Sequence, residues 1–291
     1  MSPIYSFPVV ALCAAGLLAP LPAASQAPGP FASQVLSANT NGGAGGGIFA
    51  PANALGAPDG AFGVHSLGVA GDLTLGFATP ITDGPGADLI VGENPFRVGS
   101  AWWTSFAEVS YVEVSSDGVR FARFPARYHG PAVQPGPFGS VPIGSYERLA
   151  GQHPVLAATS PFVDAQDVVD AGGDAFDLAD LAAHPMVSSG AVDLQSIVAV
   201  RLVDVVSGVS PDATGAPIFD AGAGSADIDA VTAIHQAGAL HPGTPSVALA
   251  IQPDGTMTLS LNDPDGWQDL DPTSLRAALF GVPVDAGNLL G

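Results

Sequence analysis

The sequence predicts an all-β protein, an antiparallel β-sandwich carrying a short C-terminal β tail. Three observations lead there. Apolar residues alternate over short runs, as in residues 72–77, where Leu73, Leu75 and Phe77 share one face and Asp72, Thr74 and Gly76 take the other. The runs are separated by turn chemistry, 37 Gly and 27 Pro among 291 residues, which supplies positive φ or a preset φ of about −65°. The pattern holds no long amphipathic helix. A hydrophobic content of 47% marks a folded chain rather than a low-complexity one, and the length suffices to bury a core.

The chain divides into four stretches. Residues 1–25 read as a secretory signal peptide: a short apolar run over 9–18, then Pro20, Pro22 and the small residues Ala23-Ala24-Ser25. The run is too short to span a membrane, and no Lys or Arg precedes it. The single cysteine, Cys13, lies inside it, so the mature chain has no thiol. Disulfides, thiolate zinc sites and cysteine nucleophiles are thereby excluded. The expected location is secreted or at the cell surface. Residues 26–49, polar and glycine-rich, read as a flexible lead-in, 50–240 as the sandwich, and 241–291 as the tail.

Within the sandwich the first strand is 72–77, with one face expected to be wet. Residues 89–92 form a second strand and 106–115 a third, whose apolar phase changes at Tyr111-Val112; that change predicts a bulge or burial on both faces. Ser116-Asp117-Gly118 predicts a hairpin, with 119–124 returning. Residues 125–170, rich in Pro and Gly, read as a long loop covering an edge or shaping a surface. One or two helical turns are expected over 176–183. Residues 197–206, apolar on both faces, read as a central strand, and 228–234 as the closing one. In the tail, Val247, Leu249 and Ile251 alternate, Pro253-Asp254-Gly255 turns the chain, and Met257, Leu259 and Leu261 alternate back. So short a segment is either a hairpin tail or a partial immunoglobulin-like module.

Charge narrows the partners. There are 27 acidic residues against 7 basic ones, all Arg, for a formal net charge of −20. Nucleic acid is excluded as a partner, because phosphate backbones are bound by cationic clusters. Anionic membrane surfaces are disfavoured for the same reason, and no membrane insertion is expected once the signal peptide is removed. Divalent cations are the natural counterweight, although surplus carboxylates also serve solubility.

Six segments carry a family resemblance: PANALGAPDG at 51–60, SLGVAGDLTLGF at 66–77, DGPGADLIVGENPF at 83–96, VEVSSDGVRF at 112–121, AGGDAFDLAD at 171–180 and SADIDAV at 225–231. Together they resemble bacterial secreted or cell-surface proteins with a galactose-binding-like, discoidin-type jelly roll, over residues 51 to about 236. The resemblance implies a structural calcium near the first strand, held by an Asp in an Asp-Gly turn and an acid on the last strand. Asp59 matches the first element; Asp227 and Asp229 match the second. Gly92 departs from the pattern, standing where the family carries an aromatic or similar apolar residue before Glu-Asn, which implies looser packing beside Glu93.

Calcium takes about six to eight hard oxygen ligands, commonly from acidic turns. Asp59, Asp227 and Asp229 are the first candidate set. Asp83, Asp88 and Glu93, with Asn94, are the second. Asp174, Asp177 and Asp180 form a third if a helix brings their spacing of three onto one face. Each set also suits plain turn and cap chemistry. Trp102 and Trp103, bracketed by Phe96 and Phe106, offer a stacking platform for a sugar ring or filling for the core. No residue is nominated as catalytic: the histidines are scattered, and neither a His-Glu-x-x-His pair, a nucleophile elbow nor a phosphate-binding glycine loop occurs. The expected function is a secreted or cell-surface non-catalytic binding module, calcium-stabilised and recognising a glycan or another surface component. The alternatives are a glycoside hydrolase or lyase working through loop carboxylates, and a structural or adhesive surface protein.

Overall fold

A computed structural model describes residues 29–41, 47–60, 63–97, 103–136, 138–159, 162–221 and 224–237, and the backbone of four C-terminal strands. The expected signal peptide, Trp102 and the turn at Pro253-Asp254-Gly255 lie outside the described residues. In chain order the strands are β1 (Gln34–Asn39), β2 (His65–Ser66), β3 (Asp72–Ile81), β4 (Leu89–Glu93), β5 (Thr104–Ser105), β6 (Ser110–Ser115), β7 (Ala122–Arg123), β8 (Arg127–Tyr128) and β9 (Val141–Pro142). They continue with β10 (Tyr146–Glu147), β11 (Asp174–Phe176), β12 (Ile197–Asp204), β13 (Asp227–Ala233), β14 (Ser246–Ile251), β15 (Met257–Asn262), β16 (Ala277–Leu279) and β17 (Val282–Val284). Helix among the described residues is confined to short turns such as Leu178–Leu181 and Pro185–Ser188. None is long and apolar enough to cross a membrane.

The chain is an all-β sandwich. One sheet runs β1-β3-β12-β6-β7 and the other β11-β4-β13-β2, with antiparallel pairing throughout. Period-two alternation sends Leu73, Leu75, Val112, Val114, Val200 and Leu202 inward from the first sheet. Leu89, Val91, Ile228 and Val231 meet them from the second, and the rings of Phe124 and Phe176 lie 5.0 Å apart in this core. Burial of this apolar surface is the main term holding the two sheets together.

The outer face of the first sheet is also covered, which explains the phase change at Tyr111-Val112. Val109 and Tyr111 turn away from the inter-sheet core and pack with Ala126, Val141, Tyr146, Leu149, Val205 and Ile218. The strand is therefore buried on both faces and runs without a bulge. The covering layer is the stretch read as a long loop, pinned by the ladders β5–β9 and β8–β10 and by the Tyr146 hydroxyl, which donates to the Phe219 carbonyl at 2.9 Å. On the same outer face Glu113 sits between Arg123 and Arg201 of the flanking strands; Arg123 Nε donates to Oε1 at 2.7 Å. Arg123 stacks on Tyr111 and Arg201 on Phe121.

Three local expectations are corrected. The lead-in over 26–49 contains β1, which pairs along β3 with a register shift between Val35 and Ser37; its polar composition concealed an edge strand. The wet face expected for β3 is not wet at Thr74 and Gly76, because Leu36 of β1 lies 3.2 Å from where a Gly76 Cβ would sit. Packing at Gly92 is not loose, since Val155 Cγ2 comes within 2.7 Å of the missing Cβ position. The hairpin at Ser116-Asp117-Gly118 forms, with Gly118 at φ 74° and Val114 paired to Ala122. In the tail β14 pairs antiparallel with β15, Val247 opposite Leu261 and Leu249 opposite Leu259, and β16 pairs with β17.

Candidate functional site

Asp83, Asp88 and Asp177 each offer a carboxylate oxygen within 4.8 Å of the other two, a spacing that can hold a metal ion. Pairing of β11 with β4 makes the cluster. Phe176 lies opposite Leu89, so Asp177, next after Phe176, arrives beside Asp88, next before Leu89. Asp88 is fully buried; its Oδ1 accepts from Gly84 N–H at 2.7 Å and meets His235 Nδ1 at 2.6 Å, and its Oδ2 accepts from Leu178 N–H at 2.7 Å. Asp177 caps the turn Leu178–Leu181, accepting from Ala179 N–H. Burial, then repulsion from Asp88 and Asp177, holds the Asp83 carboxyl above its usual range, with His235 opposing.

Glu93 does not join Asp83 and Asp88. It lies at the far end of β4, roughly 13 Å from Leu89 by strand rise, and its Oε1 accepts from Asp227 N–H at 3.1 Å. Because it shares the parity of Leu89 and Val91, it faces the inter-sheet space rather than a loop.

Of the first candidate set, Asp59 and Asp229 are joined through backbone, and Asp227 is not. Asp229 Oδ1 and Oδ2 accept from the N–H groups of Asp59 and Gly60, each at 3.1 Å. Burial raises the Asp229 carboxyl, those two bonds lower it, and the Asp59 charge raises it again. Asp227 turns to Ser66 and His65, and burial is the largest cause of its raised carboxyl pKa. Between them β13 shifts register at Ile228/Ala230, which separates the two side chains' surroundings.

The third set is dispersed, because no helix spans it. Asp174 lies in β11 and accepts from the N–H groups of Gly151 and Gln152 at 2.7 and 2.8 Å, with His153 Nδ1 at 2.7 Å. Asp180 forms a fork with Arg148, Nε to Oδ2 at 2.6 Å and the terminal nitrogen to Oδ1 at 3.0 Å.

Trp103 is 56% exposed, and Phe96 and Phe138 are 51% and 74% exposed. Phe106 links those two phenylalanines, its ring centre 4.6 Å from that of Phe96 and 6.3 Å from that of Phe138. Of the expected platform, Trp103 and Phe96 thus lie at the surface, while Phe106 is buried against Phe96.

A further acidic group escaped the reading of the sequence. Burial is the first cause that drives Glu108 up to about 8, followed by the charges of Asp227, Asp220 and Asp204. Burial likewise raises Asp204 and Asp220 to about 7 against the amide bonds each accepts, from Ala70 and Ala226 to Asp204 and from Val109 to Asp220. The available signal was parity: Glu108, Ser110, Val112 and Val114 alternate with Val109 and Tyr111.

No protein-family model matches the chain, and no curated protein matches it.

Proposed function

We propose that this protein is a secreted or cell-surface binding module without catalytic activity, braced by a structural calcium ion and recognising a glycan or another surface component. The observation that carries the calcium part is the convergence of Asp83, Asp88 and Asp177 within 4.8 Å. A hard cation satisfies three mutually repelling oxygen donors, and these three come from the ends of β3 and β4 and from the turn after β11. An ion there ties both edges of that loop cluster to the sandwich. The aromatic group supports the recognition part, since exposed apolar rings rimmed by polar residues mark interaction surfaces and flat ring faces suit sugar stacking. Trp103 is the residue nominated for contact, with Trp102 beside it in sequence; the discoidin-type jelly roll remains the expected family setting.

The test combines calorimetry with a glycan array. Calcium is expected to raise the melting temperature of the chelated protein, and Asp83→Asn with Asp177→Asn to abolish that rise. Array binding is expected to fall at least tenfold in Trp103→Ala. A melting temperature indifferent to calcium removes the cation from the reading, and an array without hits removes the glycan.

A further inference from the structure

The end of the sandwich where β6 begins and β12 ends gathers several carboxylates around two buried polar atoms without hydrogen-bond partners. Ser110 and Asp204 are direct partners across the β6–β12 ladder, so their side chains leave the sheet on one side, about 5 Å apart. Val112, Val114, Val200 and Leu202 define that side as the inner one. From the opposing sheet Glu93 points inward as well. The Ser110 hydroxyl and Glu93 Oε2 are buried and have no hydrogen-bond partner. Orphaned buried polar atoms are costly, and each calls for an explanation.

Beside them opens a cavity of about 370 Å³, lined by Val69, Gln134, Asp204, Ser207, Asp220 and Gly224. Glu108 reaches its wall: its Oε1 lies 2.2 Å from where a Cβ on Gly224 would stand, so only glycine admits the carboxylate there. The charges acting on Glu108 are all carboxylates. A lining of this kind selects a positively charged hydrogen-bond donor. A bare metal ion does not match it, because ligands at about 2.3–2.6 Å from calcium span only about 5 Å. Among the described residues the carboxylate trio meeting that condition is Asp83, Asp88 and Asp177. The volume instead falls within the range of small-molecule sites, about 300–1,000 Å³.

We propose that this cavity binds a small organic ammonium ion, whose N–H groups are received by Glu108, Asp204 and Asp220. The site is separate from both the calcium cluster and the aromatic surface. The protein's net charge of −20 favours the approach of such a cation.

Isothermal titration of the full chain in chelator at moderate salt tests this, with 1,4-diaminobutane as probe and 1,4-butanediol as its neutral counterpart. The diamine is expected to bind and raise the melting temperature, and the diol to do neither. Glu108→Gln removes charge but not shape and relieves repulsion, so it folds and is expected to weaken the diamine at least tenfold. Gly224→Ala, which displaces Glu108, is expected to do the same, while calcium binding at Asp83, Asp88 and Asp177 is unchanged in both. No heat from the diamine, equal binding to wild type and Glu108→Gln, or equal binding of the diol overturns the proposal. So does calcium binding that depends on Glu108, which would assign the cavity to a metal.

Discussion

Asp229 holds the turn at Asp59 through the turn's backbone: its two oxygens accept from the Asp59 and Gly60 N–H groups, each at 3.1 Å. The clasp spans some 170 residues of sequence and joins the segment before β2 to the last strand of the second sheet. Truncating Asp229 to Ala leaves two amides without acceptors, at an expected cost of about 2–3 kcal/mol in urea unfolding. Asp229→Asn keeps one acceptor and sets its own N–H groups against the other amide, so its loss is expected to be of similar size. Because the clasp is direct, both losses persist in chelator; a defect in Asp229→Ala that calcium restores would show instead that an ion completes the join.

Glu113 gives a second prediction. It is buried on the outer face of the first sheet and bonded to Arg123 and Arg201, which are themselves partly exposed and stacked on aromatic rings. Removing one partner of a buried pair strands the others. Glu113→Ala is expected to lower stability by about 2–4 kcal/mol, less than for a fully enclosed pair because the arginines can turn to water. Equilibrium unfolding with an unchanged midpoint would count against this arrangement.

The strands were legible because their signals are local. Leu73, Leu75 and Phe77 alternate within six residues, and Asp117-Gly118 marks its turn within two. Which acids converge was not legible, since that depends on registers between distant strands. Asp177 joins Asp83 and Asp88 only because Phe176 pairs with Leu89, and no spacing in the sequence encodes that pairing. Glu93 misled for a related reason: reading it with the loop at Asn94 ignored the parity it shares with Leu89 and Val91. Trp103 could be nominated from composition alone, but composition does not distinguish its surface position from a core one.

His153 supplies a pH dependence with a definite sign. Its bond to Asp174 is the largest cause raising its pKa, burial opposes, and the Asp174 charge adds to the rise. The folded state therefore holds the imidazolium more firmly than the unfolded chain, whose histidine titrates near 6.5. The stabilisation is complete below that value and is lost as pH rises through the higher folded value. Raised carboxyls at Glu108, Asp204 and Asp220 push stability in the same direction, so the informative quantity is the difference between wild type and His153→Ala. That difference is expected to shrink from pH 6 to pH 8.5 in urea midpoints. A constant difference would mean that His153 acts by packing alone.

Gly84 is the sharpest probe of the buried end of the Asp83, Asp88 and Asp177 cluster. A Cβ at this position would stand 2.2 Å from His235 Nδ1, and the Gly84 N–H donates to the same Asp88 oxygen that meets the imidazole, at 2.7 Å. Gly84→Ala must therefore move the ring or the loop. The ring yields more easily, because His235 sits near the end of the second sheet whereas the loop is held by Asp88. The fully buried Asp88 then loses its one ionisable donor while keeping two amide bonds, at an expected cost of about 2–3 kcal/mol. Loss of the imidazole's competition leaves Asp88 Oδ1 more open to a cation, so calcium is expected to bind Gly84→Ala at least as tightly as wild type and to recover part of the lost stability. Equal destabilisation with and without calcium, alongside an unmoved His235 ring in nuclear magnetic resonance spectra, would show that the strain is taken up by the loop and that the imidazole does not compete for the site.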